Sequence, residues 1–238
     1  MAICGEKTAA AREIVPGLAA GAFPRDVVVT AEAGGGMLEL DHIAVAGATL
    51  EAAVAHVEAS LGCALGPIGR HDHMGTHNRL LGLGPDVYLE AIAIDPDAPR
   101  PDWPRWFRLD EFSGPPRLTN WIVRTDRLED ALALAPRASG VATPLARGDF
   151  RWRMGIPADG RLPFDDAFPA LIEWQGGLKP QDRLADAGIR LIRLEIAHPD
   201  AMALRAALPL NDERIVILAG QKAFRATFST PHGTRVLE

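Results

Sequence analysis

The 238 residues are 47% hydrophobic and 24% charged, with a net charge of -6 and two cysteines. That apolar content suffices for a core without disulfides or a structural metal, and the acidic balance argues against a nucleic-acid partner, whose phosphates need a basic surface. No run approaches the roughly 18 apolar residues of a membrane span, and Cys4 and Cys63, lacking any C-x-x-C partner, read as free thiols of a cytoplasmic protein.

Residues 1–36 are rich in alanine and glycine and show no period. Glu6, Lys7, Arg12 and Glu13 interrupt every apolar run that a signal peptide would need. The segment reads as a loosely held extension ending in Gly34-Gly35-Gly36, and Met37, just before the first strand, is an alternative start. A first module is expected over 37–95. It opens with a strand at 40–45 and a helix whose Leu50, Val54, Val57 and Leu61 form one stripe. Thr49 suits the start of that helix and Gly62 its end. Strands at 76–83 and 87–94 follow, turned by Gly84-Pro85-Asp86.

The connector at 96–117 is too long for a simple turn. Its Trp103, Trp106 and Phe107 either close over a pocket or pack against the sheets. A second module is expected over 118–180 because the first recurs at an offset of 78: Leu40 and His42 fall on Leu118 and Asn120, Leu50-Glu51 on Leu128-Glu129. Asp126 is placed as its helix cap, with Glu129 in the capping-box position. Strands at 149–156 and 170–175 complete it, and Glu90 answers Glu173 at an offset of 83. Residues 181–238 echo the pattern weakly and read as a partial third unit packed on the sheets. Its expected parts are a strand at 189–197, a helix at 200–208 and a hairpin from 215–219 and 223–228.

Strand alternation sorts the polar residues by face. His42 lies with Leu40 and Ala44, and Glu90 with Tyr88 and Ile92. A carboxylate inside an apolar strand needs a partner, which a metal ion, a histidine or an arginine supplies. Next along, either His77 and Arg79 face the cavity or, one register off, Asn78 does. His71 and His73 form an H-x-H in a glycine-bounded stretch that reads better as a solvated loop than as a metal pair. Arg151 and Arg153 make one face of a strand basic, facing either an anionic substrate or water. No P-loop, dinucleotide fingerprint or nucleophile elbow is present.

The stretches LDHIAVAG, GRHDHMGTHNRLLGLG, VYLEAIAIDP and PRWFRLD together resemble the glyoxalase-like branch of the vicinal-oxygen-chelate superfamily, well over residues 38–180 and loosely beyond. The resemblance implies an α+β fold of paired βαβββ modules, with curled mixed sheets around a shared cavity. It also implies a small oxygen-rich ligand, a homodimer, and a divalent metal such as zinc, nickel, manganese or iron. His42, Glu90 and Glu173 would be the metal ligands, with Asn120 a departure from the usual fourth. Glu173, or Glu90 if released from the metal, would be the general base; His77, Asn78, Asn120 and Trp106 would contact substrate. Two functions follow: a metal-dependent lyase, isomerase or dioxygenase, or a metal-free sequestration protein of the bleomycin-resistance type. Fold alone does not choose between them.

Overall fold

The structure, a computed structural model, describes residues 38–238. The expected N-terminal extension and its glycine linker lie outside the described residues. The first module runs β1 Glu39–Ala46, α1 Leu50–Leu61, β2 Ile68–His71, β3 Thr76–Gly82 and β4 Tyr88–Ile94. The second runs β5 Arg117–Arg124, α2 Leu128–Leu134, β6 Val141–Arg147, β7 Phe150–Ile156 and β8 Ala170–Gln175. All eight strands form one sheet, in the order β2-β3-β4-β1-β5-β8-β7-β6. β4 returns parallel to β1 and β8 parallel to β5, a pairing that needs the intervening chain to cross over, while β1 and β5 join antiparallel at the centre. The fold is therefore α+β, built of paired βαβββ modules.

Local sequence explains the helices. Thr49 Oγ1 accepts the Ala52 N–H at 3.1 Å, and Gly62, at φ 70°, ends α1 with its N–H on Glu58 O. The stripe from Leu50 to Leu61 is buried against the sheet. For α2 the expected Asp126–Glu129 capping box does not form. The Leu128 N–H instead donates to Glu173 Oε2 at 3.0 Å, so a carboxylate from β8 supplies the missing acceptor. β2 and β6 were absent from the sequence reading. Both are edge strands: β2 is only four residues long, and β6 carries Pro144, which an edge tolerates and a central strand does not.

The remaining strands, β9 Arg190–His198, β10 Ile215–Ala219, β11 Ala223–Thr230 and β12 Gly233–Leu237, form a second sheet ordered β10-β9-β11-β12, with α3 Ala201–Ala206 between β9 and β10. The expected hairpin of β10 with β11 is corrected: β9 lies between them, because β10 crosses over α3 to pair parallel with β9, and β11 forms its hairpin with β12. Phe224, Ala226 and Phe228 alternate inward as the pattern required and join the core shared with α1 and the outer face of the large sheet. A second core fills the concave face, where Trp106 and Phe107 meet Ile92, Ile122, Trp152 and Ile172. Among the described residues no helix is long and apolar enough to cross a membrane.

Candidate active site

The concave face gathers its polar groups through one irregularity in β1. Between Leu40 and His42 the pairing with β5 slips by one residue, leaving Asp41 as the extra residue of a β-bulge. Bulges re-aim side chains, and here the consecutive residues Asp41 and His42 meet. Asp41 Oδ1 lies 2.7 Å from His42 Nδ1, and its Oδ2 accepts the Trp174 indole N–H at 2.9 Å. His42 Nε2 in turn lies 3.5 Å from Glu90 Oε2. The other carboxylate oxygen, Oε1, accepts the Asn78 amide at 2.5 Å, and Asn78 Oδ1 accepts from Arg147 at 2.8 Å. His71 completes the cluster: its Nδ1 is 3.0 Å from Thr76 Oγ1, and its Nε2 faces the Asn78 amide at 3.3 Å and Arg147 at 3.4 Å. An Nδ1–H tautomer satisfies all three contacts. Asp41, His42, His71, Asn78 and Glu90 are all buried.

Burial would raise the Asp41 carboxyl, but the hydrogen bond and charge of His42, then the Trp174 N–H and Arg124, hold it below the usual range. Burial likewise opposes Glu90's ionisation, yet His42's hydrogen bond and charge, then His71 and the Asn78 amide, hold it at about 2. For His42, burial favours the neutral ring and is outweighed by Asp41 and Glu90, so its pKa rises. His71 goes the other way: burial first, then the nearby Arg147 and His42, lower it to about 4 and keep it neutral. Tyr88, stacked on His42 with centroids 4.4 Å apart, is pushed well above its ordinary value by burial and the carboxylates of Asp41 and Glu90.

Trp106, Trp152, Trp174 and Met154 wall a cavity of about 30 Å³ beside these groups, roughly the room for one water. The connector makes it that small. A 3₁₀ turn at Trp106–Glu111 inserts Trp106 and Phe107 into the concave face. Phe107 and Arg108 hold left-handed φ values of 58° and 54°, uncommon for such side chains. Arg108 is tied to Glu111 at 2.8 Å and Asp165 at 3.0 Å. On the far side of Phe107 lies a separate pocket of about 550 Å³, onto which Asn120 opens, with its Nδ2 buried and without a partner.

Of the residues singled out from sequence, His42, His71, Asn78, Glu90, Trp106 and Phe107 meet at this cavity, and Glu173, His77 and Asn120 do not. Glu173 points to the helix side, where both its oxygens are 2.7 Å from Arg153. The strand register explains why. Ala44 pairs with Asn120 and His42 with Ile122 across the centre of the sheet, so positions 78 apart lie in reciprocal pairs there. Ala44 also pairs with Glu90, but its counterpart Ile122 pairs with Ala170. Ala170 therefore holds the place that answers Glu90. Glu173, three residues on, falls on the opposite face. His77 likewise faces outward, 3.8 Å from Asp95, so Asn78 is the pocket residue of the two. Arg153 pairs outward with Glu129 and Glu173, and Arg151 bonds backbone carbonyls at the surface. His71 is in the site and not in a solvated loop, since it closes β2 beside Thr76; His73 stacks on the exposed Trp103. Sequence reasoning passed over Asp41, Tyr88, Arg147 and Trp174. A carboxylate directly before His42 in an apolar strand was a signal for the first; Arg147 carried none while β6 was unseen.

The donor set does not make a resident metal centre. His42 Nε2 and His71 Nε2 lie 3.5 and 4.0 Å from the Glu90 carboxylate, but among the described residues no three His, Cys, Asp or Glu side chains are spaced to hold an ion. The second module offers Ala170 and Asn120 where the first has Glu90 and His42. Glu90 and His71 are already engaged by Asn78, and the Arg147 guanidinium, 3.4 Å from His71 Nε2, sets a positive charge beside them.

Paired βαβββ modules curled about a polar cavity define a member of the vicinal-oxygen-chelate superfamily. Residues 40–210 match the model of the glyoxalase-like domain, and the chain belongs to that family. Among solved structures, a hypothetical protein from Staphylococcus aureus is similar at 13% identity, over 78% of this chain and 87% of that one, with a TM-score of 0.52. Methylmalonyl-CoA epimerase from Mycobacterium tuberculosis aligns at 19% identity over 57% and 85%, TM-score 0.38. The Mn(II)-bound glyoxalase from Novosphingobium aromaticivorans aligns at 12% over 85% and 81%, TM-score 0.38. None of the curated proteins matches the sequence.

Proposed function

We propose that the protein is a glyoxalase-like enzyme of the lyase or isomerase type that moves a proton on a small oxygen-rich molecule, using Glu90 and His42 and no resident metal. The observation that carries this reading is the buried chain Asp41–His42–Glu90 ending at the cavity. Three buried ionisable groups are a poor way to stabilise a fold, since apolar residues of similar volume do as well or better. Such groups with displaced pKa values gather where chemistry is done.

Glu90 is ionised and is the candidate base. In the empty site His42 and Asn78 hold it at about 2, too acidic for efficient proton abstraction. A substrate oxygen that takes over those two donors frees the carboxylate, whose pKa then rises with its burial. The same donors stabilise the negative charge that grows on the oxygen as the adjacent C–H proton leaves. Asp41 favours the protonated imidazole and aims it. A cytoplasmic setting belongs to the same reading, Cys63 being a free thiol.

The test is C–H exchange in D2O, followed by NMR, over a panel of 2-oxo acids, 2-hydroxy ketones and 3-oxo acids. Wild type should exchange at least one, and Glu90→Gln should slow it by about 100-fold or more. Ligands that stabilise the protein against heat without any exchange would favour the sequestration protein instead, a reading supported by the tryptophans that line the cavity.

A further inference from the structure

We infer that Arg147 anchors a carboxylate, and that the groove onto which it opens takes the apolar body of a small aromatic or branched monocarboxylic acid. Arg147 and Asn78 form the wall between the polar cavity and a second space of about 360 Å³, which runs between β2 and the β6–β7 hairpin. The groove's other walls include Ile68, Leu80, Phe150 and Leu184, and Ile68 is 53% exposed. An apolar side chain open to solvent beside a guanidinium suits an amphipathic ligand.

The charge on Arg147 is the deciding feature. Its side-chain bonds go to Asn78 Oδ1 at 2.8 Å and His71 Nε2 at 3.4 Å, both neutral, and its guanidinium lies 5.5 Å from the Phe150 ring centroid. No carboxylate pairs with it among the described residues. By contrast Arg183, across the groove, is paired with Asp149 at 2.9 Å, which leaves one net positive charge. A half-buried guanidinium that meets only neutral acceptors still has free N–H groups and an unneutralised charge. One guanidinium fork matches one carboxylate, so a monoanion is favoured over a phosphate. The backbone is shaped for this arginine as well: a Cβ on Gly69 would lie 2.6 Å from Asn78 Oδ1 and 2.8 Å from Arg147 Nη1. β2 is cut back to glycine where the guanidinium passes.

Asn78 bonds both Arg147 and Glu90, so a carboxylate held there lies one side chain away from the candidate base. The inference thus names the substrate class of the proposed enzyme and rests on that reading for its catalytic meaning, though not for binding. The experiment is calorimetric titration of the full chain with 3-phenylpropanoate, 3-phenylpropanamide and acetate. The aromatic acid should bind about 10-fold or more tighter than either of the others, a difference of one hydrogen-bonded charge or one buried ring. Arg147→Gln should abolish the preference for acid over amide, and Arg147→Lys should keep part of it. Equal affinity for acid and amide in wild type overturns the inference, as does an undiminished preference in a folded Arg147→Gln. Should Arg147→Gln not fold, Ile68→Ser decides: weaker binding of acid and amide alike is expected, and no change overturns the groove. Acid binding without C–H exchange supports this inference and sinks the proton-transfer reading; exchange without any preference for acids does the reverse.

Discussion

Asp41 and His42 are neighbours in sequence and also hydrogen-bond partners, Oδ1 to Nδ1 at 2.7 Å, because the bulge in β1 turns the two side chains toward each other. In a regular strand they would point to opposite faces. The bulge therefore makes Asp41 a positioning residue for the imidazole, and both its oxygens are spent on that task, one on His42 and one on the Trp174 N–H.

Replacing Asp41 with Asn should lower the pKa of His42, because the hydrogen bond and charge that raise it are lost or weakened. Breaking one member of a buried ionic chain costs about 3–5 kcal/mol when a charge is left unpaired. Here Glu90 stays within reach of the ring, so the loss should fall near ~2–3 kcal/mol. Urea unfolding and an NMR titration of the His42 ring check the two effects separately. A His42 titration unmoved by the substitution would remove Asp41 from the site.

Stability should peak near neutral pH and fall on both sides for reasons specific to two histidines. His71 has a folded pKa of about 4 against an ordinary 6.5. Between those values the unfolded chain takes up a proton that the folded one refuses, so stability falls as pH drops through that window. Glu90, held at about 2, extends the loss below its ordinary 4.5. The raised pKa of His42 acts oppositely: its contribution is complete below 6.5 and fades as pH rises through the folded value. His71→Gln should flatten the slope between pH 4 and 6.5 by something on the order of 3 kcal/mol over the window. Thermal unfolding across pH would show it; an unchanged acid slope would mean that His71 is not held neutral.

Glu173 and Glu90 should respond differently to the same change. Glu173→Gln loses the part-exposed Arg153 pair but leaves an oxygen for the Leu128 N–H, so the expected cost is about 1 kcal/mol with exchange and ligand binding intact. Glu90→Gln should slow exchange by about 100-fold or more. A Glu173→Gln enzyme with exchange as slow as Glu90→Gln would contradict the register.

Much of this was written in the chain. The offset of 78 placed His42 and Asn120 at corresponding positions of β1 and β5, and it did so because both strands sit at the sheet's centre, where apolar neighbours keep the pattern clean. The offset of 83 failed for Glu173 because it was matched on residue likeness across β8, where insertions in the second module had shifted the register by an odd number. Alternation cannot reveal such a shift, since Leu171-Ile172-Glu173 reads equally well on either face. The bulge at Asp41 has no signature in residue type. Edge strands hide for a physical reason: β2 and β6 have one open side, need little apolar content and, in β6, admit Pro144. With β6 unseen, Arg147 was invisible, and so was the cation that now argues against a metal.

That argument makes the last prediction. A divalent ion beside Glu90 would need His42 Nε2 unprotonated, a third protein ligand at about 2.0–2.3 Å, and no neighbouring positive charge. The structure opposes each condition. His42 is raised in pKa between two carboxylates, which favours a proton on Nε2 that a metal would have to displace. Ala170 and Asn120 replace the ligands the second module would have supplied, and Glu173 faces the other way. Arg147 already donates to Asn78 and His71. Calorimetric titration of protein at pH 7 with zinc, nickel, manganese and iron(II) should therefore give no site tighter than about 10 µM, a free energy near 7 kcal/mol. C–H exchange should survive EDTA. Arg147→Gln at pH 9 should bind zinc more tightly than wild type at pH 7, because both obstacles are then reduced, and His42→Ala in that background should reverse the gain. Stoichiometric micromolar binding to wild type at pH 7, lost in His42→Ala, would instead make the cluster a metal site and Arg147 its substrate-side neighbour.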